Sequence, residues 1–246
     1  MVVQHNMQAV NTNRMLGQNV KAVQKSTEKL SSGYAVNRAG DDAAGLSISE
    51  KMRNQIRGLN QSVKNAEDGI SLIQTAEGNM NEIHSILQRM GELAIKSRND
   101  VNATEDRRSI NDEVVQLKAE ISAITTKAEF NGTKLLNGDM SKGKLLQVGA
   151  NKGETMAISI KGTSLSNLGL TDTSVSTGVK ASTAIGKIQS AIKNVSAQRS
   201  LLGAVQNRLE YTINNLENYS ENLTSAESNI RDTDMATEMV NYSKNN

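Results

Sequence analysis

The chain has 246 residues, with Lys+Arg 28 against Asp+Glu 26, and its residues are 37% hydrophobic but only 2% aromatic. That length suits one or two domains with a buried core, though not an aromatic one. No Cys is present, which excludes disulfides, thiolate nucleophiles and Cys-containing zinc sites. No Pro is present either, where an average chain of this length would carry about 12, so nothing forces a helix to stop or kink.

The two histidines, His5 and His84, lie far apart in sequence, which makes a structural metal cage a poor reading. The net charge of +2 comes without a basic run, and there are almost no aromatics to stack on bases, so a nucleic-acid partner is not expected. Apolar runs such as Leu201 to Val205 are too short to span a bilayer, and no membrane partner is expected. Met1 to Asn13 lack the charged and apolar regions of a secretory signal peptide. Roughly a fifth of the residues are Asn or Ser, which suggests an elongated, solvated surface.

In chain order, Leu16, Val20, Val23, Thr27 and Leu30 are spaced four and three apart, a narrow helical stripe that needs a partner. Ser31-Ser32-Gly33 supplies its end, with Gly33 free to take the left-handed cap. Gly40-Asp41-Asp42 offers a cap for a second helix. From Met52 the stripe reads Met52, Ile56, Leu59, Val63, Ala66, Ile70, Ile73, then shifts phase near Glu77 and resumes as Met80, Ile83, Leu87, Met90, Ala94, a heptad seam with one stammer. A helix over 42–99 would be about 85 Å long at 1.5 Å per residue. Gly58, Gly69, Gly78 and Gly91 inside it mark candidate close approaches of another backbone.

Thr104-Glu105-Asp106 starts a helix over 104–129 with the stripe Ile110, Val114, Leu117, Ile121, Ile124, Ala128. Within 130–180, Lys144–Val148 and Thr155–Ile160 flank the turn cluster Gly149–Gly153 and read as a β-hairpin, and 161–180 is Gly, Ser and Thr rich. The last helix, 181–235, holds Ile185, Ile188, Ile192, Val195, Leu202, Leu209, Ile213, Leu216 and Leu223 in one heptad register, with Arg199, Gln206 and Ser220 as polar entries. The expected fold class is mainly α: an elongated antiparallel coiled-coil or helical-bundle rod with a small β-hairpin region on its flank, and no intramolecular partner for the first helix.

Chemical motifs are weak. Gly138–Lys144 nearly matches a phosphate-binding loop, but Leu145 replaces the Ser/Thr that would hold magnesium and a strand follows in place of a helix. His84 reads as a solvated or satisfied helix histidine, and His5 as exposed or at a subunit contact. Asp41/Asp42 and Glu105/Asp106 sit at helix starts, where capping explains them without acid/base work. No catalytic, cofactor-binding or metal residues are assigned.

Longer motifs carry a resemblance. Asn11–Leu16 (NTNRML), Leu30–Arg38 (LSSGYAVNR), Asp41–Gly45 (DDAAG), Leu87–Ala94 (LQRMGELA), Glu129–Leu136 (EFNGTKLL), Leu202–Arg208 (LGAVQNR) and Asn222–Arg231 (NLTSAESNIR) closely resemble bacterial flagellin across essentially the whole chain. The resemblance implies a self-assembling filament subunit, secreted to the flagellum without a cleaved signal peptide, and no enzymatic activity or cofactor. It implies that 1–41 is the N-terminal part of an innermost filament domain, 42–238 a rod domain, and 239–246 the start of a truncated C-terminal innermost segment, since flagellins continue there into an apolar helix. The variable outer domains that many flagellins insert within 139–180 are absent. Implied partners are other flagellin subunits, cap and hook-junction proteins, an export chaperone whose site the truncation removes, and host Toll-like receptor 5. The stripe Leu16, Val20, Val23 and Leu30 becomes the self-assembly site. By motif, the receptor-binding residues become Arg89 and Leu93, expected as an exposed pair on one helix face, with Glu113 on the facing helix. Gly91 departs from the Arg often found there. A hook-filament junction protein is the alternative.

Overall fold

The computed structural model describes residues 6–246; His5 lies outside them. Residues up to Asn60 together with Glu217–Asn246 form one compact unit, and Gln61–Leu216 form another.

In the first unit, α1 spans Met7–Ser32. The Asn6 side chain caps it by accepting from the Ala9 N–H, and Gly33 ends it at φ 76°, donating its N–H to the Lys29 carbonyl. This is the glycine stop legible in the sequence. The two aspartates of the connector take separate tasks. Asp42 accepts from the Ala44 and Gly45 N–H groups and starts α2 (Ala43–Arg98), whereas Asp41 accepts from Asn37 and Arg38 and pairs with Lys25 at 2.9 Å.

The helix expected to run to 235 is α4, Gly178–Arg231, and it stops four residues earlier; α5, Met235–Asn245, restarts behind Asp234. Asp234 explains the restart, since its carboxylate accepts from the Ala236 and Thr237 N–H groups. The break is clasped by the α1–α2 connector. Ala35 donates to the Arg231 carbonyl at 2.7 Å, Thr233 donates to the Gly33 carbonyl at 3.0 Å, and Tyr34 pairs antiparallel with Asp232. The Arg231 guanidinium stands 4.6 Å from the centre of the Tyr34 ring and 2.9 Å from Glu50.

Beyond this clasp α5 packs along α1, so the expectation that α1 lacks an intramolecular partner is corrected for its second half. Its stripe divides accordingly: Val23 and Leu30 are half-buried, Leu16 and Val20 exposed. The reason is length, because α5 has 11 residues against 26 in α1. Every described residue from Asn6 to Lys21 is exposed.

In the second unit the sequence stripe on α2 needs a phase correction. From Ser62 to Ser97 the buried seam runs Ser62, Ala66, Gly69, Ile73, Ala76, Met80, Ile83, Leu87, Met90, Ala94 and Ser97, alternating four and three without a stammer, with Leu93 buried beside it. Val63 and Ile70, expected in the seam, are only half-buried beside it. On α4, Ile188, Val195, Leu202 and Leu209 are buried as expected, but the second column is Ala184, Ala191 and Gln198, with Ile185, Ile192 and Arg199 half-buried. Small side chains alternate with large apolar ones in the buried seams of both helices, and half-buried apolar residues widen the contact on either side. Arg199 pairs with Glu77 at 3.4 Å, and a Cβ on Gly91 would lie 3.7 Å from Ile188. Residue numbers fall on α2 as they rise on α4, so the two helices are antiparallel.

α3, Thr104–Lys127, buries Ile110, Val114, Ile121 and Thr125. Asp106 accepts from the Ala103 N–H at its start. Then come β1 (Glu129–Phe130) and β2 (Thr133–Lys134), joined by Asn131-Gly132 at φ 47° and 74°, the backbone that a two-residue hairpin turn requires. The expected hairpin is β3 (Lys144–Gln147) paired antiparallel with β4 (Thr155–Ile158), and it faces α2: Asn65 donates to the Gln147 carbonyl at 3.1 Å. The irregular stretch before α4 is tied down by side chains. Lys118 donates to the Thr171 and Thr173 carbonyls, Ser97 to that of Val175, and Asn111 accepts from Ser174 and the Val175 N–H.

Of the helix glycines, Gly69 meets a tight neighbour: a Cβ there would stand 2.6 Å from Leu146 of the hairpin, while one on Gly78 would meet nothing within 4 Å. The close approach is thus by a side chain, not a backbone. Gly78→Ala is expected to raise stability by about 0.5–1 kcal/mol through helix propensity. Gly69→Leu is expected to lower it by about 1–3 kcal/mol through overpacking. Urea unfolding of the two variants checks both signs.

Candidate functional site

Arg89 lies on α2 opposite Glu113 on α3. Its Nε donates to Glu113 Oε1 at 2.9 Å, with Nη2 also 2.9 Å from that oxygen, and its Nη1 donates to Glu92 at 3.2 Å. Both side chains are well exposed, at 53% for Arg89 and 44% for Glu113. Hydrogen bonding to Glu113, then to Glu92, holds the guanidinium above its ordinary pKa. Leu93 does not join them at the surface. It is 3% exposed and belongs to the core, which corrects the expected exposed pair with Arg89. Four residues along a helix turn the side chain by about 40°, and the seam at Met90, Ala94 and Ser97 already claims that flank. The exposed apolar residue nearby is Ile95, at 62%. It lines a shallow groove with Gly91, Ile185, Ile188 and Ile192, a feature hidden in the sequence because Ile95 falls outside the stripe.

The stripe expected to serve self-assembly lies in the other unit. Leu16 is 60% and Val20 48% exposed, and elsewhere on α1 Met7, Val10 and Met15 are exposed, as are Met235, Met239 and Val240 on α5. Where α5 covers α1, Lys29 comes within 4.0 Å of Glu238.

Three carboxylates in this unit are held below their ordinary values: Asp41 by the Lys25 hydrogen bond and then the Arg38 N–H, Glu50 by Arg231, and Asp234 by the Thr237 N–H and hydroxyl. A folded-state pKa below the unfolded one gives stabilisation that is present above the unfolded value and lost as pH falls through the folded one. The loss therefore begins near the ordinary values of 4.5 for Glu50 and 3.8 for Asp41 and Asp234 and continues below them.

Gly138–Lys144, the near-match to a phosphate loop, forms a 3-10 turn at Asp139–Lys142 leading into β3, so no helix N-terminus faces it. His84 shares its Nε2 with Gln88 at 3.1 Å, which satisfies one ring nitrogen, while its Nδ1 is buried without a hydrogen-bond partner. Among the described residues no group of three His, Cys, Asp or Glu could hold a metal ion, and no helix is long and apolar enough to cross a membrane.

The architecture is that of a mainly helical protein that presents long helix faces. The family profile for the bacterial flagellin N-terminal helical region matches residues 3–141, and that for the C-terminal helical region matches 185–246. A flagellin of Halalkalibacterium halodurans is 51% identical over 248 residues, covering 100% of this chain and 91% of the relative. A flagellar filament 33 kDa core protein of Treponema phagedenis is 45% identical over 260 residues, with 100% and 91% covered. The crystal structure of Bacillus cereus flagellin matches with a TM-score of 0.57 and 32% identity, over 62% of this chain and 88% of that one. The chain belongs to the bacterial flagellin family, whose members are structural proteins and not enzymes.

Two outcomes are expected. Leu93→Ala destabilises by about 2–5 kcal/mol as a core truncation, while Arg89→Ala leaves the unfolding midpoint near that of the parent; denaturant melts separate them. On acidification from pH 7 to below 3.8, amide exchange in residues 7–50 and 217–245 speeds up before exchange in the α2–α4 seam of the second unit does.

Proposed function

We propose that the chain is a subunit of a flagellar filament, with 1–41 and 239–246 in the innermost layer and 42–238 in the layer around it. One observation carries this: a single stripe on α1 is covered at Val23 and Leu30 by the chain itself and left bare at Leu16 and Val20. Bare apolar positions in register with covered ones suit a helix from another copy of the family. In this reading the protein is secreted without a cleaved signal peptide and meets other flagellin subunits, an export chaperone, and cap and hook-junction proteins. The hook-junction alternative is less well supported, given 51% identity to a flagellin along the whole chain.

The test is electron microscopy of the full-length protein, the parent against the Leu16→Asp, Val20→Asp double variant. Filaments from the parent and none from the double variant are expected. Filaments of equal length from both would remove the stripe from assembly.

We propose also that host Toll-like receptor 5 reads the surface around Arg89 and Glu113. Two ion-pair partners hold the Arg89 fork in place, which lowers the entropy of docking. Leu93 acts beneath it as a support. Arg89→Ala is expected to weaken binding by about 2 kcal/mol, the scale of an interface anchor, and Gly91→Arg to strengthen it. Surface binding with folded protein measures both, and unchanged affinity for Arg89→Ala would discard the site.

A further inference from the structure

Eight of the ten methionines of this chain fall into two sets. Met80, Met90 and Met140 are fully buried, Met156 is 9% exposed, and all four belong to the second unit. Met7, Met15, Met235 and Met239 are 72%, 55%, 47% and 51% exposed, and all four lie on α1 and α5. Cys and Trp are both absent, so no thiol or indole competes for an oxidant, and the thioether is the most readily oxidised side chain present.

We propose that Met7, Met15, Met235 and Met239 are sites of sulfoxidation, each turning an exposed apolar side chain of α1 or α5 polar. With hydrogen peroxide the sulfur lone pair attacks one peroxide oxygen. The S–O bond forms as the O–O bond breaks, sulfur loses two electrons, and the departing hydroxide leaves as water after proton transfer. The product is a polar, chiral sulfoxide, which stereospecific reductases return to the thioether at the expense of thiols. Met235 is placed to transmit the change. It is three and seven residues before Glu238 and Tyr242, the half-buried residues on the side of α5 turned to α1, and so shares their helix face. Oxidation loosens α5 on α1, and any association through α1 weakens with it; that last consequence alone rests on the filament reading.

The test uses the full chain and hydrogen peroxide in limiting amounts, followed by peptide mass mapping and amide exchange. One added oxygen is expected on each of the four before Met80, Met90 or Met140 reacts, together with several-fold faster exchange in residues 235–245. A variant with Met7→Leu, Met15→Leu, Met235→Leu and Met239→Leu keeps the apolar volume, and its exchange should not respond to peroxide. Equal oxidation of buried and exposed methionines would overturn the proposal. So would complete oxidation of the four with unchanged exchange in α5. Failure of the untreated full-length protein to polymerise would count against the filament reading and leave both of these readouts decisive.

Discussion

The second unit depends on small side chains at the centre of its helix contact. Ser62, Ala66, Gly69 and Ala76 on α2, with Ala184 and Ala191 on α4, occupy seam positions where Leu or Ile would be expected in a conventional coiled coil. Small residues contribute little buried area themselves. Stability comes from the large seam residues between them, Ile73, Met80, Ile83, Leu87 and Met90 on α2 with Ile188, Leu202 and Leu209 on α4, and from the flanks, where Ile70, Leu72, Ile185 and Ile192 pack against the core. The hairpin and α3 add cover: Leu146 fills the space a side chain on Gly69 would take, and Ile110, Val114 and Ile121 close over α2. A chain with almost no aromatics can thus still build a core, by distributing burial over long helices in place of a few large rings.

The first unit is stabilised differently. Its fixed point is Arg231, which closes α4 by stacking on Tyr34 and pairing with Glu50, while the backbones of Gly33 and Ala35 pair with those of Arg231 and Thr233. Few large side chains are buried there, and Leu16 and Val20 face solvent. A helix with its apolar stripe uncovered gains little from packing, and isolated helices in water are marginal because nucleation is costly. Stability is therefore uneven along α1.

Local signals in the sequence were reliable where one residue decides a backbone event. Gly33 ended α1, Asp42 started α2, and the Gly149–Gly153 cluster turned the β3–β4 hairpin. Periodicity identified the helices but misplaced the seam by one residue, because reading it from the largest apolar side chains overlooks Ser62, Gly69 and Ala184. The motif reading put Leu93 at the surface with Arg89, whereas α2 is covered on two sides there and the apolar face is broad. The break before α5 was missed because Asp232-Thr233-Asp234 contains no Gly or Pro, and only the pairing with Tyr34 and Ala35 makes it a stop. Of the candidate site, Arg89 with Glu113 was legible through the family motif, whereas the exposure of Ile95 and the partial cover of the α1 stripe depend on tertiary packing.

The central claim is that one continuous helix, α1, has two states of cover: paired from Ala22 onward and bare before it. Residue-resolved amide exchange of the monomer tests it most directly. The account predicts protection that is weak from Met7 to Lys21, intermediate from Ala22 to Ser32, and strongest in the Ser62–Ser97 seam of the second unit. Protection in residues 7–21 equal to that in 22–32, at concentrations where only monomer is present, would contradict it.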